Sequence, residues 1–378
     1  SLGGTGIVIN PVGRGFYSVA IQPDGKIVVV SNAGIGTFAV VRYNPDGSLD
    51  TSFNGSGTVL TPVASAGAPT SVVIQTDGKI VVAGSDGDND FGLARYNPNG
   101  SLDTSFNGSG IVLTPVGRAN SVAIQADGKI VAAGSSHDGS TSAFTLVRYN
   151  TDGTLDTSFN GTGKVITSVG NSRSGASDLA IQTDGKIVAA GYSLAAPDDW
   201  RTADFALVRY NPDGSLDTSF GGTGKILIPD SDLDYAYSVA IQPNGKIVVA
   251  GSRSNIDYKS AVVRLNPNGA LDTSFNGTGK VTTSFSNAYD HVGSVAIQAD
   301  GKIVVSGDSG PDEFKSFVAV RYQGDGATPT PTPTPTPAPT NTPTPTLAPT
   351  PNDSALARTY GTMNEATSAT SESSSSTS

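Results

Sequence analysis

One phrase recurs six times along the chain, reading SVAIQPDGKIVVV in its first copy at residues 18–30. Its turn glycine returns as Gly25, Gly78, Gly128, Gly185, Gly245 and Gly301, at spacings of 53, 50, 57, 60 and 56 residues. A second phrase, NPDGSLDTSFNGSG, follows each of the first five copies. Its front half reappears degraded at residues 323–326, and its back half stands alone at residues 1–6. A period of this length means a row of like supersecondary units, none able to bury its own apolar surface alone. Because the two chain ends together complete one unit, the pattern points to a closed ring.

Each unit reads as four strands. SVAIQ (strand A) and KIVVV (strand B) are short β-branched runs joined by Asp24-Gly25, the signal for a hairpin with a two-residue type I′ turn. FAVVRY (strand C, residues 38–43) and GTVLT (strand D, residues 57–61) have the same character, and the connector between them is rich in Asn, Asp, Gly and Pro. No helix-sized window carries a 3.6-residue apolar period. A four-stranded antiparallel sheet that is apolar on both faces must be sandwiched by neighbours, and radial repetition supplies them. The expected fold is all-β: a six-bladed β-propeller followed by an extended Thr/Pro-rich C-terminal tail. The last blade has three strands of its own, so residues 6–10 are expected to supply its fourth and clasp the ring shut. An open solenoid of six sheets is the alternative, and it leaves that N-terminal segment without a role.

The expected organisation is a propeller over residues 1–326, a linker over 327–351 and a polar tail over 352–378. With no Cys, burial must supply the stability that disulfides would otherwise add. The sole Met is Met363, and Ser1 reads as a mature terminus left after removal of a signal peptide. No apolar run has the length of a membrane span. A formal net charge of −10 without a basic cluster argues against nucleic acid as a partner.

The pair DGKIVVAG and SLDTSF resembles the delta-sixty repeat family of bacterial secreted proteins, over residues 1 to about 326. That resemblance implies an extracellular propeller and brings no activity that can be carried over residue by residue.

The A–B turn and C–D connector keep their lengths in every complete copy, whereas the B–C and D–A loops do not. From the strand B isoleucine to the strand C arginine the chain runs 15 residues in the first copy (Ile27 to Arg42) and 22 in the fourth (Ile187 to Arg209). All blades therefore place their individuality on one edge, where binding residues commonly sit on variable loops held by a rigid scaffold. The candidate binding residues there are His137, Asp198, Asp199, Trp200, Arg201, Tyr258 and His291. Trp200 beside its acids suits stacking on a sugar ring, or merely caps its own loop. His137, His291 and Glu313 are the only histidines and the only glutamate of the repeats. With so few titratable groups, and no serine elbow or paired metal motif, no enzyme is expected.

Arg42, Arg95, Arg148, Arg209, Arg264 and Arg321 recur once per unit, and five connectors carry Asp50, Asp103, Asp156, Asp217 and Asp272. Bidentate pairing would staple each connector to its blade. No cofactor is expected, although the alternating aspartates of residues 85–91 and 229–235 leave room for an irregular surface calcium site. The Asn-Gly-Ser/Thr sequons at Asn54, Asn99, Asn107, Asn160 and Asn276 read first as turns.

Residues 327–351 are almost pure Thr-Pro, a polyproline II spacer reaching about 78 Å at roughly 3.1 Å per residue. This is also the composition of stalks bearing O-linked glycans. Beyond it, Ala355, Leu356, Ala357, Tyr360 and Met363 form a modestly apolar patch suited to adding as a strand to another copy's sheet edge. Head-to-tail docking of that kind builds an open polymer. The expectation is therefore a non-enzymatic subunit of an extracellular filament or sheath. The alternative is a carbohydrate- or surface-binding propeller on a glycosylated stalk.

Overall fold

The structure, a computed structural model, describes residues 6–8, 16–34, 36–63, 67–86, 90–137, 141–196, 199–229, 235–252, 259–285, 289–310, 316–324 and 332–333. Contacts divide the chain into Ser1–Pro335 and Thr336–Ser378. The second unit lies wholly outside the described residues, and with it the patch from Ala355 to Met363.

Six four-stranded antiparallel sheets follow one another in chain order. Blade 1 comprises β1 (Phe16–Ile21), β2 (Ile27–Asn32), β3 (Thr37–Tyr43) and β4 (Thr58–Pro62). Blade 2 comprises β5 (Pro69–Ile74), β6 (Ile80–Ser85), β7 (Asp90–Tyr96) and β8 (Ile111–Pro115). Blade 3 comprises β9 (Arg118–Ile124), β10 (Ile130–His137), β11 (Ser142–Tyr149) and β12 (Lys164–Thr167). Blade 4 comprises β13 (Ser174–Ile181), β14 (Ile187–Leu194), β15 (Ala203–Tyr210) and β16 (Lys225–Ile228). Blade 5 comprises β17 (Tyr235–Ile241), β18 (Ile247–Ser252), β19 (Ser260–Leu265) and β20 (Lys280–Thr283). Blade 6 comprises β21 (Tyr289–Ile297), β22 (Ile303–Gly310), β23 (Ser316–Tyr322) and β24 (Thr332–Pro333). The first strands of consecutive blades approach one another and the fourth strands do not, which puts strand A innermost. This is the six-bladed propeller that the repeat period predicts.

Two local expectations are corrected. The A–B turn is not a two-residue type I′ turn. Gly25 donates its amide to Gln22 O at 2.9 Å, and Gln22 donates to Lys26 O at 2.8 Å. Gly25 takes φ +82°, while Asp24 is not among the residues with positive φ. The turn is thus type I over Pro23 and Asp24 with a left-handed glycine after it, which needs one positive φ rather than two. Asp24 Oδ1 accepts the Lys26 amide at 3.1 Å and holds the corner.

The second correction concerns the clasp. The fourth position of blade 6 is taken by Thr332–Pro333, which pairs with Arg321 and Val320, and not by residues 6–10. Of that N-terminal segment, residues 6–8 are described and belong to no strand, and residues 9–10 lie outside the description. Proline is tolerated on such an edge because its missing N–H faces away from the ladder.

Successive blades are joined by five apolar cores. In the first, Val28, Val30, Phe38 and Val40 of blade 1 pack on Val72, Ile80 and Val82 of blade 2. The next four join blades 2 and 3, 3 and 4, 4 and 5, and 5 and 6. Strands B and C serve both neighbours by alternation, Ile80 and Val82 of β6 facing blade 1 and Val81 and Ala83 facing blade 3.

Every strand A carries a bulge against strand B, at Tyr17, Thr70, Asn120, Ser177, Tyr237 and Gly293. Opposite it, five blades place a glycine. A Cβ on Gly134 would stand 1.8 Å from Arg118 O, so no side chain fits there.

Candidate functional site

The fixed edge is built for cohesion. Arg42 Nε donates to Asp50 Oδ2 at 2.7 Å, its second nitrogen to the carbonyl of Pro98 in the next blade, and its third to Ser52 Oγ at 3.4 Å. Its guanidinium carbon lies 4.5 Å above the Phe53 ring. Arg95, Arg148 and Arg209 repeat the arrangement with Asp103, Asp156 and Asp217, reaching the carbonyls of Thr151, Pro212 and Pro267. Arg264 does the same with Asp272 and reaches Gly324 O at 2.9 Å. The pairing is therefore not the expected bidentate fork. One nitrogen takes the carboxylate and the others sew connector and next blade together.

These aspartates are held below the ordinary carboxylate range. Burial pushes each one up, but the hydroxyl of Ser219 or Ser274, together with Lys186 and Arg209 or Lys246 and Arg264, outweighs it and brings Asp217 and Asp272 to about 2. Asn54, Asn107, Asn160 and Asn276 adopt φ of 52–53°, and the Asn54 amide donates to Asn99 O of the next blade at 2.7 Å. These sequon asparagines serve the turn. A cavity of about 910 Å³ opens on this edge between blades 2 and 3 and reaches Ile181 of blade 4, with Ile74, Ile124, Gln75 and Gln125 in its walls. Its walls are repeat residues, so it offers no blade-specific chemistry.

The inner strands form a belt around the axis in which one blade departs from the others. Ser71 Oγ accepts the Val122 amide at 3.3 Å, and Ser18 Oγ accepts the Val72 amide at 3.2 Å. In blade 4 the repeat serine is replaced by Asp178. Its Oδ1 accepts Ser121 Oγ at 2.7 Å and its own neighbour's Leu179 amide at 2.8 Å. Its Oδ2 accepts the Val239 amide at 2.9 Å and Ser238 Oγ at 3.1 Å. One carboxylate thus ties blades 3, 4 and 5. Burial pushes its pKa up and these four donors oppose the rise. Sequence reasoning missed Asp178, although its signal was present: an acid in a column otherwise filled by Ser18, Ser71, Ser121, Ser238 and Ser294.

At the variable edge, three blades bring four rings together. Tyr192 stands near the end of the second strand of blade 4, and its ring lies 5.3 Å from that of Tyr235 at the start of blade 5. Tyr235 and Tyr237 of β17 stack with centroids 6.2 Å apart and planes 23° from parallel. Tyr237 then meets His291 of blade 6 at 4.6 Å. Tyr192 has room because its cross-strand partner is Gly175, where a Cβ would come within 3.4 Å of the ring. Asp308, directly opposite His291 in the ladder, puts Oδ1 3.9 Å from Nδ1, and both side chains are part-exposed at 44% and 37%. The result is an aromatic arc with phenol, imidazole and carboxylate groups at its rim.

The other expected site residues fall differently. His137 ends β10 opposite Ser142, on the variable edge but in blade 3. Asp199 caps a short 3-10 turn at Trp200–Thr202 by accepting the Arg201 amide at 3.1 Å, so it shapes its own loop, and Arg201 is exposed. Asp198, Tyr258 and Glu313 lie outside the described residues. Of the two acidic stretches, Asp86 Oδ1 accepts the Asp90 amide at 3.0 Å, and residues 87–89 and 230–234 are outside the description. No helix among the described residues is long and apolar enough to cross a membrane.

Fold and site together define a six-bladed β-propeller with one invariant and one variable edge. Residues 22–53, 75–106, 125–159, 182–220 and 242–275 match a family model described as "Domain of unknown function (DUF5122) beta-propeller". These matches support a propeller-repeat family. No curated protein sequence matches the chain.

Among solved structures, one is a polysaccharide lyase of family PL25, an ulvan lyase, at 10% identity and TM-score 0.50, covering 82% of this chain and 81% of that one. Virginiamycin B lyase from Staphylococcus aureus matches at 11% identity and TM-score 0.48, covering 86% and 87%. An aldose sugar dehydrogenase from Streptomyces coelicolor matches at 14% and 0.47, covering 83% and 96%. Such distant likeness shows the fold alone. It nonetheless overturns the expectation that the chain is no enzyme, because a chain of this propeller fold is a polysaccharide lyase. A shortage of histidines and glutamates was no ground for excluding catalysis, since a few loop residues on such a scaffold suffice.

Proposed function

We propose that this propeller binds carbohydrate at its variable edge, on the arc of Tyr192, Tyr235, Tyr237 and His291. The observation that carries this reading is the chain of ring contacts across blades 4, 5 and 6. Aromatic side chains with a polar end offer an apolar face to a sugar ring and a donor or acceptor to its hydroxyls. His291 and Asp308 add a second pair of polar groups at the rim. A largely apolar floor with a few convergent polar groups is the usual form of a small-molecule site. In this reading the chain works outside the cell, and the Thr-Pro tract is a spacer with O-linked glycans. That placement rests on tail composition and on the resemblance to secreted repeat proteins.

Binding of the full chain to a panel of soluble polysaccharides, followed by affinity electrophoresis, tests the proposal. Tyr237→Ala and Tyr235→Ala should each weaken retention at least tenfold, with Trp200→Ala close to wild type. Retention lost with Trp200→Ala and kept with Tyr237→Ala would move the site to the blade 4 loop and sink the arc.

The tail patch expected to link subunits of a filament or sheath lies outside the described residues.

A further inference from the structure

Just ahead of its bulge, strand A offers the same rung of the inner ladder to the variable edge in successive blades. Arg118 stands there opposite Ser135 in blade 3, Gly175 opposite Tyr192 in blade 4, Tyr235 opposite Ser252 in blade 5 and His291 opposite Asp308 in blade 6. The rungs of blades 4 to 6 carry the aromatic arc. That of blade 3 carries an exposed cation, Arg118. Blade 2 has Ala68 at this place, its carbonyl accepting the Ser85 amide at 3.2 Å, so the polar chemistry starts at blade 3.

The rungs of blades 3 and 4 touch. A Cβ built on Gly175 would stand 2.9 Å from the Ser135 Cβ and 3.4 Å from the Tyr192 ring. Gly175 is therefore wedged between the cross-strand partner of Arg118 and the first tyrosine of the arc. From Tyr192 the ring contacts run on through Tyr235 and Tyr237 to His291. One continuous row thus leads from a guanidinium in blade 3, over the phenol rings, to the imidazole and carboxylate of blade 6.

We propose that this row takes an acidic polysaccharide, Arg118 holding the carboxylate or sulfate of one sugar unit while the tyrosines carry the units beside it. The inference rests on the carbohydrate reading of the arc and adds the charge of its ligand. A guanidinium presents a fork of N–H donors to an oxyanion, and such charge-assisted pairs are roughly twice as strong as neutral ones. Asp308 sets the direction, because it repels an anion at the blade 6 end and leaves the blade 3 end to accept it. With a formal net charge of −10, the chain gains nothing from general attraction to a polyanion. A preference for one must come from a placed cation.

Affinity electrophoresis of the full chain in gels holding dextran, polygalacturonate or dextran sulfate tests this. A charged polymer should bind roughly tenfold more tightly than neutral dextran, the worth of one hydrogen bond to a charged group. Rising salt should erase the difference. Preference for polygalacturonate assigns a carboxylate, and preference for dextran sulfate a sulfate ester. Arg118→Gln should abolish the preference and leave binding to dextran unchanged. Arg118→Lys keeps the charge, loses the fork and should restore the preference only in part. Arg201→Gln, at an exposed arginine off the rung, should change nothing. Equal binding of all three polymers overturns the proposal and leaves the carbohydrate reading standing, as does a preference that survives Arg118→Gln or is lost equally with Arg201→Gln. No binding in any gel sinks the carbohydrate reading, and this inference with it.

Discussion

Val122 and Val19 occupy the same place in the same phrase, yet one is 6% exposed and the other 61%. The junction between blades 2 and 3 and the exposed face of blade 1 are thus written in the same residues and differ only in what stands opposite. A blade that is apolar on both faces records the need for neighbours without saying how many are found. In a row of like units the interface term belongs to pairs, so the terminal units carry a different energy from identical interior ones.

That contrast can be broken experimentally, most sharply at the valines. Val122→Asp buries an unpaired carboxylate in a packed junction and should cost about 4 kcal/mol. Val19→Asp, in dilute chain, should stay within about 0.5 kcal/mol, as surface changes do. Urea unfolding followed by circular dichroism measures both, and equal losses would mean that the end of blade 1 is covered in solution.

The arginines come next. Arg95→Ala strands Asp103 and leaves the Thr151 carbonyl without its donor, for about 3 kcal/mol. Arg321→Ala should cost less than about 0.5 kcal/mol, because an exposed cation has little to lose. Thermal melts of the two variants compare sewn and unsewn ends directly.

Acid should dissolve the staples together. Asp217 and Asp272 have folded pKa values near 2 against an ordinary 3.8, so the folded state binds fewer protons than the unfolded chain between those values. Their contribution is fully present above pH 3.8 and is lost as pH falls through about 2. Melts between pH 5 and pH 2 should show falling stability, and Asp217→Asn with Asp272→Asn should flatten the slope. An unchanged slope would place the acid response elsewhere. Asp178→Ser, which restores the repeat residue, should cost about 1 kcal/mol through lost hydrogen bonds.

The staples were legible in sequence because Arg42 and Asp50 are eight residues apart and recur together. Their true geometry was not, since the remaining nitrogens go to a carbonyl some 56 residues on. The turn was misread because Asp-Gly marks a corner without saying which residues take positive φ. The arc was illegible for a stronger reason. Tyr192, Tyr235, Tyr237 and His291 come from three blades, and nothing local distinguishes them from other strand-end aromatics. Asp178 stood in plain view in its column and was passed over, because a column is read for what repeats.

Period, strand count, the two-faced apolarity of each sheet and the invariance of one edge follow from the chain's own order of residues, because they depend on contacts within a unit or between adjacent ones. Which rings meet at the variable edge and which carboxylate ties three blades were decided only in three dimensions. Those outcomes depend on the angle accumulated from blade to blade, and no single repeat encodes that sum.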